Sequence, residues 1–340
     1  MNRKHFLSSL LAAGAVIPGV NAIAGIPGTT GNQPVVPPYL KPGDTIGITC
    51  PAGYCPRPDL DASLRIIESW GFKVRIGSTV GLRDFTFGGT DQQRTADFQE
   101  MLDNPEIKAI LCARGGYGSA RLLDKLNYDK FVQHPKWIIG FSDITAFHCQ
   151  VNSKLNTASL HSKMTNSFPD NFRTADPVVQ DSITSIYNAL TGKKMSYTGT
   201  TQMANRPGKA TGIVVGGNLA VIQSMNGTQS ELFTDGKILF LEEVSEYLYN
   251  IDRMLGTLER SGKLKNLAGL ILGGFNYIRP DDPGEEFGRT VQSMVLDRVK
   301  NYSYPVCFDF PIGHQRNNYA IKCNMVHTLE VTTKAVTLTE

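Results

Sequence analysis

The sequence predicts an α/β protein with an N-terminal, mostly parallel sheet that carries helices on both faces, followed by a smaller mixed α/β C-terminal domain. Three observations support this fold class. Short apolar runs alternate with helical patterns along the first half of the chain, which is typical of crossovers in a parallel sheet. A length of 340 residues is enough for two domains with separate cores. Residues 325–338 alternate in polarity as antiparallel strands do.

Four segments are predicted along the chain. Residues 1–24 have the form of an export signal. Residues 38–165 form the N-terminal domain, and residues 166–209, which are rich in Thr, Asn, Ser and Pro, form an interdomain connection. Residues 210–340 form the C-terminal domain.

The first segment predicts where the protein works. It joins a basic start to an apolar stretch and a small-residue cleavage site, Ala22-Ile23-Ala24. Gly14 and Pro18 interrupt the apolar stretch, which is short for a bilayer. We therefore predict cleavage, no stable membrane span and a periplasmic protein. The basic start resembles a twin-arginine signal with Lys in second place, so both bacterial export routes remain open.

Composition excludes several functional classes. The formal net charge is +3, and two of the positive charges, Arg3 and Lys4, belong to the segment predicted to be removed, so nothing indicates nucleic-acid binding. The six cysteines lack Cys-x-x-Cys and the six histidines lack the His-Glu-x-x-His spacing of a zinc helix. We predict no metal, no cofactor and mostly buried free thiols, although export would permit a Cys50–Cys55 bridge.

The elements of the N-terminal domain follow from apolar runs that end at Gly or Pro and from apolar stripes at helical spacing. The predicted strands cover residues 45–50, 72–76, 107–113 and 137–140. The predicted helices cover residues 60–70, 90–102 and 120–126, and another begins at Asp143.

The same patterns give the elements of the second half. A helix is predicted at residues 177–190 in the connection. The C-terminal domain should contain a strand and glycine turn at 212–219, strands at 237–241 and 267–273, and helices at 247–258 and 290–300. The strand at 237–241 runs into Glu242-Glu243.

Ser142 stands between a buried strand and a helix start, as the nucleophile elbow of hydrolases does. The plain alternative is a helix N-cap, since Ser leads the N-cap preferences, and Ile144 breaks the usual Gly-x-Ser-x-Gly pattern. A serine hydroxyl becomes a nucleophile when a histidine takes its proton and a carboxylate orients that histidine. Glu242 and His314 supply these residue types, although a strand-end acid and a loop histidine are often only solvated groups.

Residues 114–118, Arg-Gly-Gly-Tyr-Gly, supply a further part of such a site. Attack on a carbonyl develops negative charge, which preorganised backbone N–H groups stabilise, and glycines let a backbone approach a substrate closely. Gly116 and the N–H of Asp143 are the candidate donors. The alternative is a phosphate or dinucleotide loop, but the segment fits neither pattern.

Five motifs, in this order, resemble the LD-carboxypeptidases, a family that includes the microcin-immunity peptidases. The resemblance covers nearly everything from Pro38 to the C-terminus. The motifs are Ala-Arg-Gly-Gly-Tyr-Gly at 113–118, Gly-Phe-Ser-Asp-Ile-Thr at 140–145, Gly-Gly-Asn-Leu at 216–219, Leu-Phe-Leu-Glu at 239–242 with Ile-Asp-Arg-Met-Leu at 251–255, and Gly-His at 313–314.

The resemblance implies a Ser-Glu-His serine peptidase, usually dimeric, with its site between the two domains. Ser142 resembles the nucleophile, Glu242 the orienting acid and His314 the general base, while Gly116 and Asp143 resemble the oxyanion-hole donors. Such enzymes remove the terminal D-alanine from murein tetrapeptides by cutting the bond that joins the L-centre of a diamino acid to D-Ala.

Several assignments stay open. Glu243 and Glu246 compete with Glu242, which is preferred because it stands in the family's place at the strand end. Residues 161–164, His-Ser-Lys-Met, depart from the family's His-Gly-Pro-Met, and residues 321–324 depart from its Leu-Pro-Leu-Gly. Both departures bear on substrate preference.

Three further residues are predicted to contact the substrate. They are Arg114 and Tyr117 of the glycine loop, and Lys163, which could pair with a substrate carboxylate.

Three functions are therefore weighed. The first is a periplasmic serine carboxypeptidase that acts on murein peptides. The second is an immunity-type amidohydrolase of peptidyl-nucleotide antibiotics, which would call for an aromatic clamp on a nucleobase, whereas Trp70 and Trp137 are assigned to core elements. The third is a non-catalytic binding protein for wall peptides.

Overall fold

A computed structural model describes residues 33–279 and 284–340, and the predicted export signal at 1–24 lies outside these residues. Within the described ranges the strands are β1 (Thr45–Thr49), β2 (Lys73–Ile76), β3 (Ile107–Cys112), β4 (Trp137–Gly140), β5 (Ser159–His161), β6 (Ser196–Gly199), β7 (Gly208–Asn218), β8 (Ile238–Tyr247), β9 (Gly269–Ile278), β10 (Val306–Cys307), β11 (Ile321–Cys323), β12 (Met325–Val331) and β13 (Val336–Thr339). The α-helices are α1 (Asp61–Ser69), α2 (Asp91–Asp103), α3 (Asp129–Gln133), α4 (Thr145–Cys149), α5 (Pro177–Leu190), α6 (Leu219–Ser224), α7 (Leu248–Arg260) and α8 (Val291–Arg298).

The first sheet has the strand order β11-β5-β4-β3-β1-β2. Strands β1 to β5 run parallel, and β11, from near the end of the chain, pairs antiparallel with β5. The carboxyl ends of parallel strands share one edge, where ligands bind in open α/β sheets. The glycine loop after β3 and Ser142 after β4 both lie at this edge.

The second sheet is mixed and has the order β10-β9-β8-β7-β12-β13-β6. Strands β7 to β10 run parallel, while β12, β13 and β6 add antiparallel pairs. The predicted fold class is therefore confirmed. Four strands were not predicted from sequence: β5, β6, β10 and β11. β6 falls in the predicted connection, and β11 joins the N-terminal sheet.

Alternating side chains of the first sheet enter two different cores, as the pleat of a strand requires. On β3, Ile110 and Cys112 join the core that contains α2, whereas Ala109 and Leu111 join the core that contains α1 and α5. Both cores also include residues of the second sheet, so the two sheets are packed together through shared apolar side chains.

Three sequence predictions are wrong. Residues 120–126 form two short 3₁₀ turns, Ser119–Arg121 and Leu123–Lys125, and not a helix. A segment this short has little helical stability of its own, and burial of Leu122 and Leu123 fixes its path instead. The glycine turn predicted near 216–217 lies within β7, and β8 continues past Glu242 to Tyr247.

None of the helices in residues 33–279 and 284–340 is long and apolar enough to cross a membrane. All six cysteines are buried, and none is paired in a disulfide.

His148 on α4 joins the ends of two strands beneath the candidate site. Its Nε2 lies 2.9 Å from the carbonyl oxygen of Gly140 and its Nδ1 lies 2.8 Å from Ser159 Oγ. Because a carbonyl only accepts, Nε2 carries the hydrogen and the Ser159 hydroxyl donates to Nδ1. Burial lowers the pKa of His148 to about 4. The neutral imidazole therefore holds α4 against the ends of β4 and β5.

We expect this histidine to make folding sensitive to acid. The unfolded chain takes up a proton near pH 6.5, whereas the folded chain resists protonation until about pH 4, so the stability is fully present above pH 6.5 and is lost as the pH falls towards 4. The shift corresponds to up to about 3 kcal/mol. Urea unfolding at pH 7 and pH 4.5 should show a smaller pH dependence for His148→Gln than for the unchanged protein. Equal pH dependence would contradict this role.

Candidate active site

Ser142 sits at a strained turn between β4 and α4. Its φ is +61°, a left-handed conformation that side chains other than glycine rarely adopt and that costs roughly 1–3 kcal/mol. Residues Ser142–Ile144 form one 3₁₀ turn that leads into α4. The Ser142 hydroxyl makes no hydrogen bond within the described residues, while the Ser142 carbonyl accepts from the Thr145 N–H, and the N-cap position of this turn belongs to Phe141. The turn therefore has the geometry of an elbow, and Ser142 is not a helix cap.

The glycine loop approaches the Ser142 side chain closely. A β-carbon added at Gly115 would lie 3.2 Å from Ser142 Oγ and 3.1 Å from Ser142 Cβ, so a side chain there would crowd the hydroxyl. The Gly53 N–H donates to the Gly115 carbonyl at 2.9 Å. Gly116 has a φ of +103°. The loop backbone is therefore held beside the hydroxyl, as an oxyanion hole requires.

Asp143 ties this loop to the elbow through its side chain. Its carboxylate Oδ2 accepts the Ser119 N–H at 2.8 Å. Burial raises the pKa of Asp143, and hydrogen bonds from Ser119 and Gly118 oppose that rise. On the far side of the loop, the buried Arg94 donates to the Gly118 carbonyl at 3.0 Å. Sequence reasoning assigned only the N–H of Asp143 and missed this side-chain contact.

Glu242 and His314 meet although they are 72 residues apart. His314 Nδ1 lies 2.5 Å from Glu242 Oε2. Glu242 is completely buried, while 19% of the His314 side chain is exposed. Glu242 Oε1 has no hydrogen-bond partner among the described residues. The pair is therefore a carboxylate buried behind an imidazole that reaches the surface.

The His314 ring lies next to the elbow. Its centroid is 4.8 Å from that of Phe141, the residue that immediately precedes Ser142. Both rings line one open cleft of ≈ 660 Å³, together with Val244, Asn276 and others. Asn276 also donates from its side chain to the His314 carbonyl. His314 thus lies at this cleft beside the turn that carries Ser142, with Glu242 buried behind it.

Backbone irregularities bring the histidine this close to Glu242. The register between β8 and β9 shifts after Leu241, with an extra residue in β9 at Gly273-Gly274. Gly274 then bridges to Gly313 and donates to the Ile312 carbonyl at 3.0 Å. A β-carbon at Gly313, whose φ is +87°, would lie 2.4 Å from Glu242 Cβ. Glycine is therefore required immediately before His314.

The structure distinguishes the three competing acids. Glu243 accepts hydrogen bonds of 2.8 Å from the Asn218 side chain and from the N–H groups of Ala220 and Val244, and burial raises its pKa to about 7. Glu246 accepts from Asn250 at 2.5 Å. Of the three, Glu242 is the one that bonds to His314.

The predicted substrate contacts lie on two sides of this region. Lys163 Nζ is 3.5 Å from the carbonyl of Gln315, which lines the cleft, and burial lowers the pKa of Lys163. Arg114 and Tyr117 belong to the loop beside Ser142. Arg114 donates to the Tyr54 carbonyl at 3.4 Å, and Tyr117 is 56% exposed. Neither of the two charged side chains, Arg114 and Lys163, forms an ion pair with another described residue.

Sequence reasoning missed Phe141, Asn276 and Gly115 as parts of the site. Asn276 carried a weak signal, since it is a polar residue late in an apolar strand at the ligand-binding edge. The closest approach of the loop to Ser142 is made by Gly115, one residue before the predicted Gly116.

Comparison with known proteins agrees with this geometry. Residues 46–162 match the LD-carboxypeptidase N-terminal domain, and residues 211–329 match the LD-carboxypeptidase C-terminal domain. A Bacillus subtilis protein named as a probable murein peptide carboxypeptidase is 32% identical, over 84% of this chain and 88% of its own. The microcin C7 self-immunity protein of Escherichia coli is 25% identical, over 91% and 97%.

A solved structure shows the same architecture. The crystal structure of muramoyltetrapeptide carboxypeptidase from Oxalobacter formigenes has a TM-score of 0.76 and 27% identity, and the match covers 87% of this chain and 98% of that one. The two matched domains span more than half of the sequence, in the predicted order. The chain therefore belongs to the LD-carboxypeptidase family.

Proposed function

We propose that this protein is a serine carboxypeptidase that releases the terminal D-Ala of murein tetrapeptides by cleaving the preceding L,D peptide bond. The observation that carries the proposal is the hydrogen bond between Glu242 and His314 beside the strained turn at Ser142. A buried carboxylate that orients a partly exposed imidazole next to a serine is the arrangement that activates a hydroxyl for acyl transfer.

The first half of the reaction follows from the hydrogen bonds. Glu242 accepts the Nδ1–H of His314, so Nε2 keeps a free lone pair. As Ser142 Oγ attacks the scissile carbonyl carbon, Nε2 takes the hydroxyl proton. The N–H groups of Gly116 and Asp143 stabilise the negative charge that develops on the carbonyl oxygen. Glu242 stabilises the imidazolium that forms.

The second half regenerates the enzyme. The imidazolium gives its proton to the amino group of the departing D-Ala, which leaves an ester between Ser142 and the shortened peptide. His314 then takes a proton from water as the water oxygen attacks the ester carbon, and it returns that proton to Ser142 Oγ as the ester C–O bond breaks. The cationic side chains Arg114 and Lys163, and the exposed Tyr117, are suited to bind the terminal carboxylate that defines a carboxypeptidase substrate.

The cellular setting is part of the same proposal. The basic and apolar pattern of residues 1–24 supports export to the periplasm, where wall peptides would be trimmed in place. The family resemblance supports a homodimer. The division at 38–165, 166–209 and 210–340, with the nucleophile before the connection and the acid and base after it, is retained as the domain assignment.

The immunity-type amidohydrolase has less support. A clamp for a nucleobase requires an aromatic side chain free to stack on it, and neither tryptophan can serve, because Trp137 is fully buried and Trp70 packs against Phe168 and Tyr187. A purely binding role also has less support, because a binder needs neither a strained serine nor a buried acid behind a histidine.

Removal of the Ser142 hydroxyl should abolish cleavage. When disaccharide tetrapeptide is incubated with the protein, mass spectrometry should detect tripeptide and D-Ala, and Ser142→Ala should lose this activity by roughly 10³-fold or more. Ser303→Ala, which changes an exposed serine remote from the cleft, is the matched control. A fluorophosphonate should label the wild type but not Ser142→Ala. Undiminished cleavage by Ser142→Ala would refute the assignment.

Replacement of the orienting acid should lower turnover without removing substrate affinity. We expect Glu242→Gln to reduce kcat by roughly 10³- to 10⁴-fold, because the imidazole loses its fixed tautomer and the charge that stabilises its protonated form. Glu246→Gln, which alters an acid bonded only to Asn250, should stay close to the wild-type rate. Steady-state kinetics of D-Ala release would measure both. A larger loss in Glu246→Gln than in Glu242→Gln would reverse the assignment.

A further inference from the structure

Three exposed side chains form a surface that the proposed reaction does not use. Tyr247 at the end of β8, Tyr249 at the start of α7 and Ile278 at the end of β9 are 42%, 51% and 38% exposed. The two tyrosine rings are stacked, with centroids 5.7 Å apart and planes 17° apart. Arg253 lies over the Tyr249 ring at 5.3 Å. We call Tyr247, Tyr249 and Ile278 the tyrosine platform.

The platform continues one wall of the active-site cleft. Val244 and Asn276, which are register partners on β8 and β9, line the cleft. The next register partners along the same strands are Tyr247 and Ile278. Residues two apart on a strand share a face, so Asn276 and Ile278 point to the same side, whereas Tyr277 points to the other. A ligand that leaves the cleft along this wall therefore meets the platform next.

The spacing matches the length of the proposed substrate. Gly274 is bridged to Gly313, next to His314, and Ile278 lies four residues further along β9, about 13 Å away at ~3.3 Å per residue. In a murein tetrapeptide the scissile bond follows the third residue, and three extended residues span about 10 Å. With the scissile bond beside His314, the amino end of the peptide therefore ends about 3 Å short of Ile278, and the sugars that this end carries in the intact muropeptide meet the platform.

We propose that the tyrosine platform binds the amino sugar attached to the amino end of the peptide, so that the enzyme prefers sugar-linked muropeptides to free tetrapeptides. This inference rests on the proposed function. The C–H face of a pyranose ring is apolar and packs on a flat aromatic ring, while the tyrosine hydroxyls meet its polar edge. Stacking of the two rings on each other restrains them before binding, which reduces the entropy lost on complex formation.

A sugar ring and a nucleobase can both stack on the tyrosine platform, so a nucleobase is the alternative ligand that the tests must distinguish. The tests therefore use three ligands: the disaccharide tetrapeptide, the same tetrapeptide without sugars, and an aminoacyl sulfamoyl adenosine. Binding is measured by calorimetry in the Ser142→Ala background, so that cleavage is not needed for the readout. Tyr247→Ala removes the ring, and Tyr247→Leu keeps apolar area but loses the flat face. Tyr277→Ala, which removes a tyrosine from the opposite face of β9, is the matched control.

We expect the ratio of affinities for the sugar-linked and sugar-free tetrapeptides to fall about tenfold in Tyr247→Ala and by a smaller factor in Tyr247→Leu. The ratio should keep its parent value in Tyr277→Ala. An unchanged ratio in both Tyr247 variants, with near-ultraviolet circular dichroism showing intact folding, would overturn the platform. So would a loss confined to the adenosine ligand.

Cleavage assays separate this inference from the function on which it rests. If the wild type cleaves both tetrapeptides and the affinity ratio does not change, the platform is wrong and the carboxypeptidase assignment stands. If neither peptide is cleaved but the ratio changes as expected, the platform stands and the carboxypeptidase assignment is wrong.

Discussion

The hydrogen bond between Glu242 and His314 is the contact on which the site depends. A fully buried carboxylate is costly unless a partner compensates for its lost hydration, and the partner comes from a loop 72 residues further along the chain. Because residue 313 is glycine, the loop can pass close to Glu242. The extra residue in β9 places Gly274 where it forms a β-bridge with Gly313. Packing of the second sheet therefore decides whether the histidine lies against Phe141, beside the turn that carries Ser142.

The first sheet holds Ser142 in a strained backbone conformation and supplies contacts that stabilise it. Ser142 adopts a left-handed conformation, which persists only where neighbouring contacts fix it. Asp143 binds the glycine loop on one side, and His148 binds the Gly140 carbonyl on the other. These neighbours of Ser142 hold the turn and the loop in one relative position. In the proposed mechanism, the hydroxyl and the backbone donors therefore act together without rearrangement during the reaction, which is the basis of electrostatic preorganisation.

Many of the strands and helices were predictable from the sequence, because they depend on local patterns of apolar and polar residues. Apolar runs predicted β1, β3 and β4, and the predicted helix at 90–102 is α2, which begins after a capping box at Thr90. The choice among Glu242, Glu243 and Glu246 could not be derived from spacing, because adjacent strand residues face opposite sides and the register with β9 sets which one meets the loop. The helix predicted at 120–126 was wrong for a similar reason, since the burial of Leu122 and Leu123 outweighs local helix propensity.

The paired strands β8 and β9 set the spacing between Glu242 and the tyrosine platform. β8 supplies Glu242 and, five residues later, Tyr247, so the acid behind the histidine and the platform belong to one strand. Between them, Ser245 has a φ of +62° and the register shifts again, with an extra residue in β8 that turns Tyr247 against Ile278. Because two paired strands stretch little, the distance from Glu242 to the tyrosine platform is fixed by the fold. Discrimination among peptides of different length would then follow from the strand register, without a separate recognition domain.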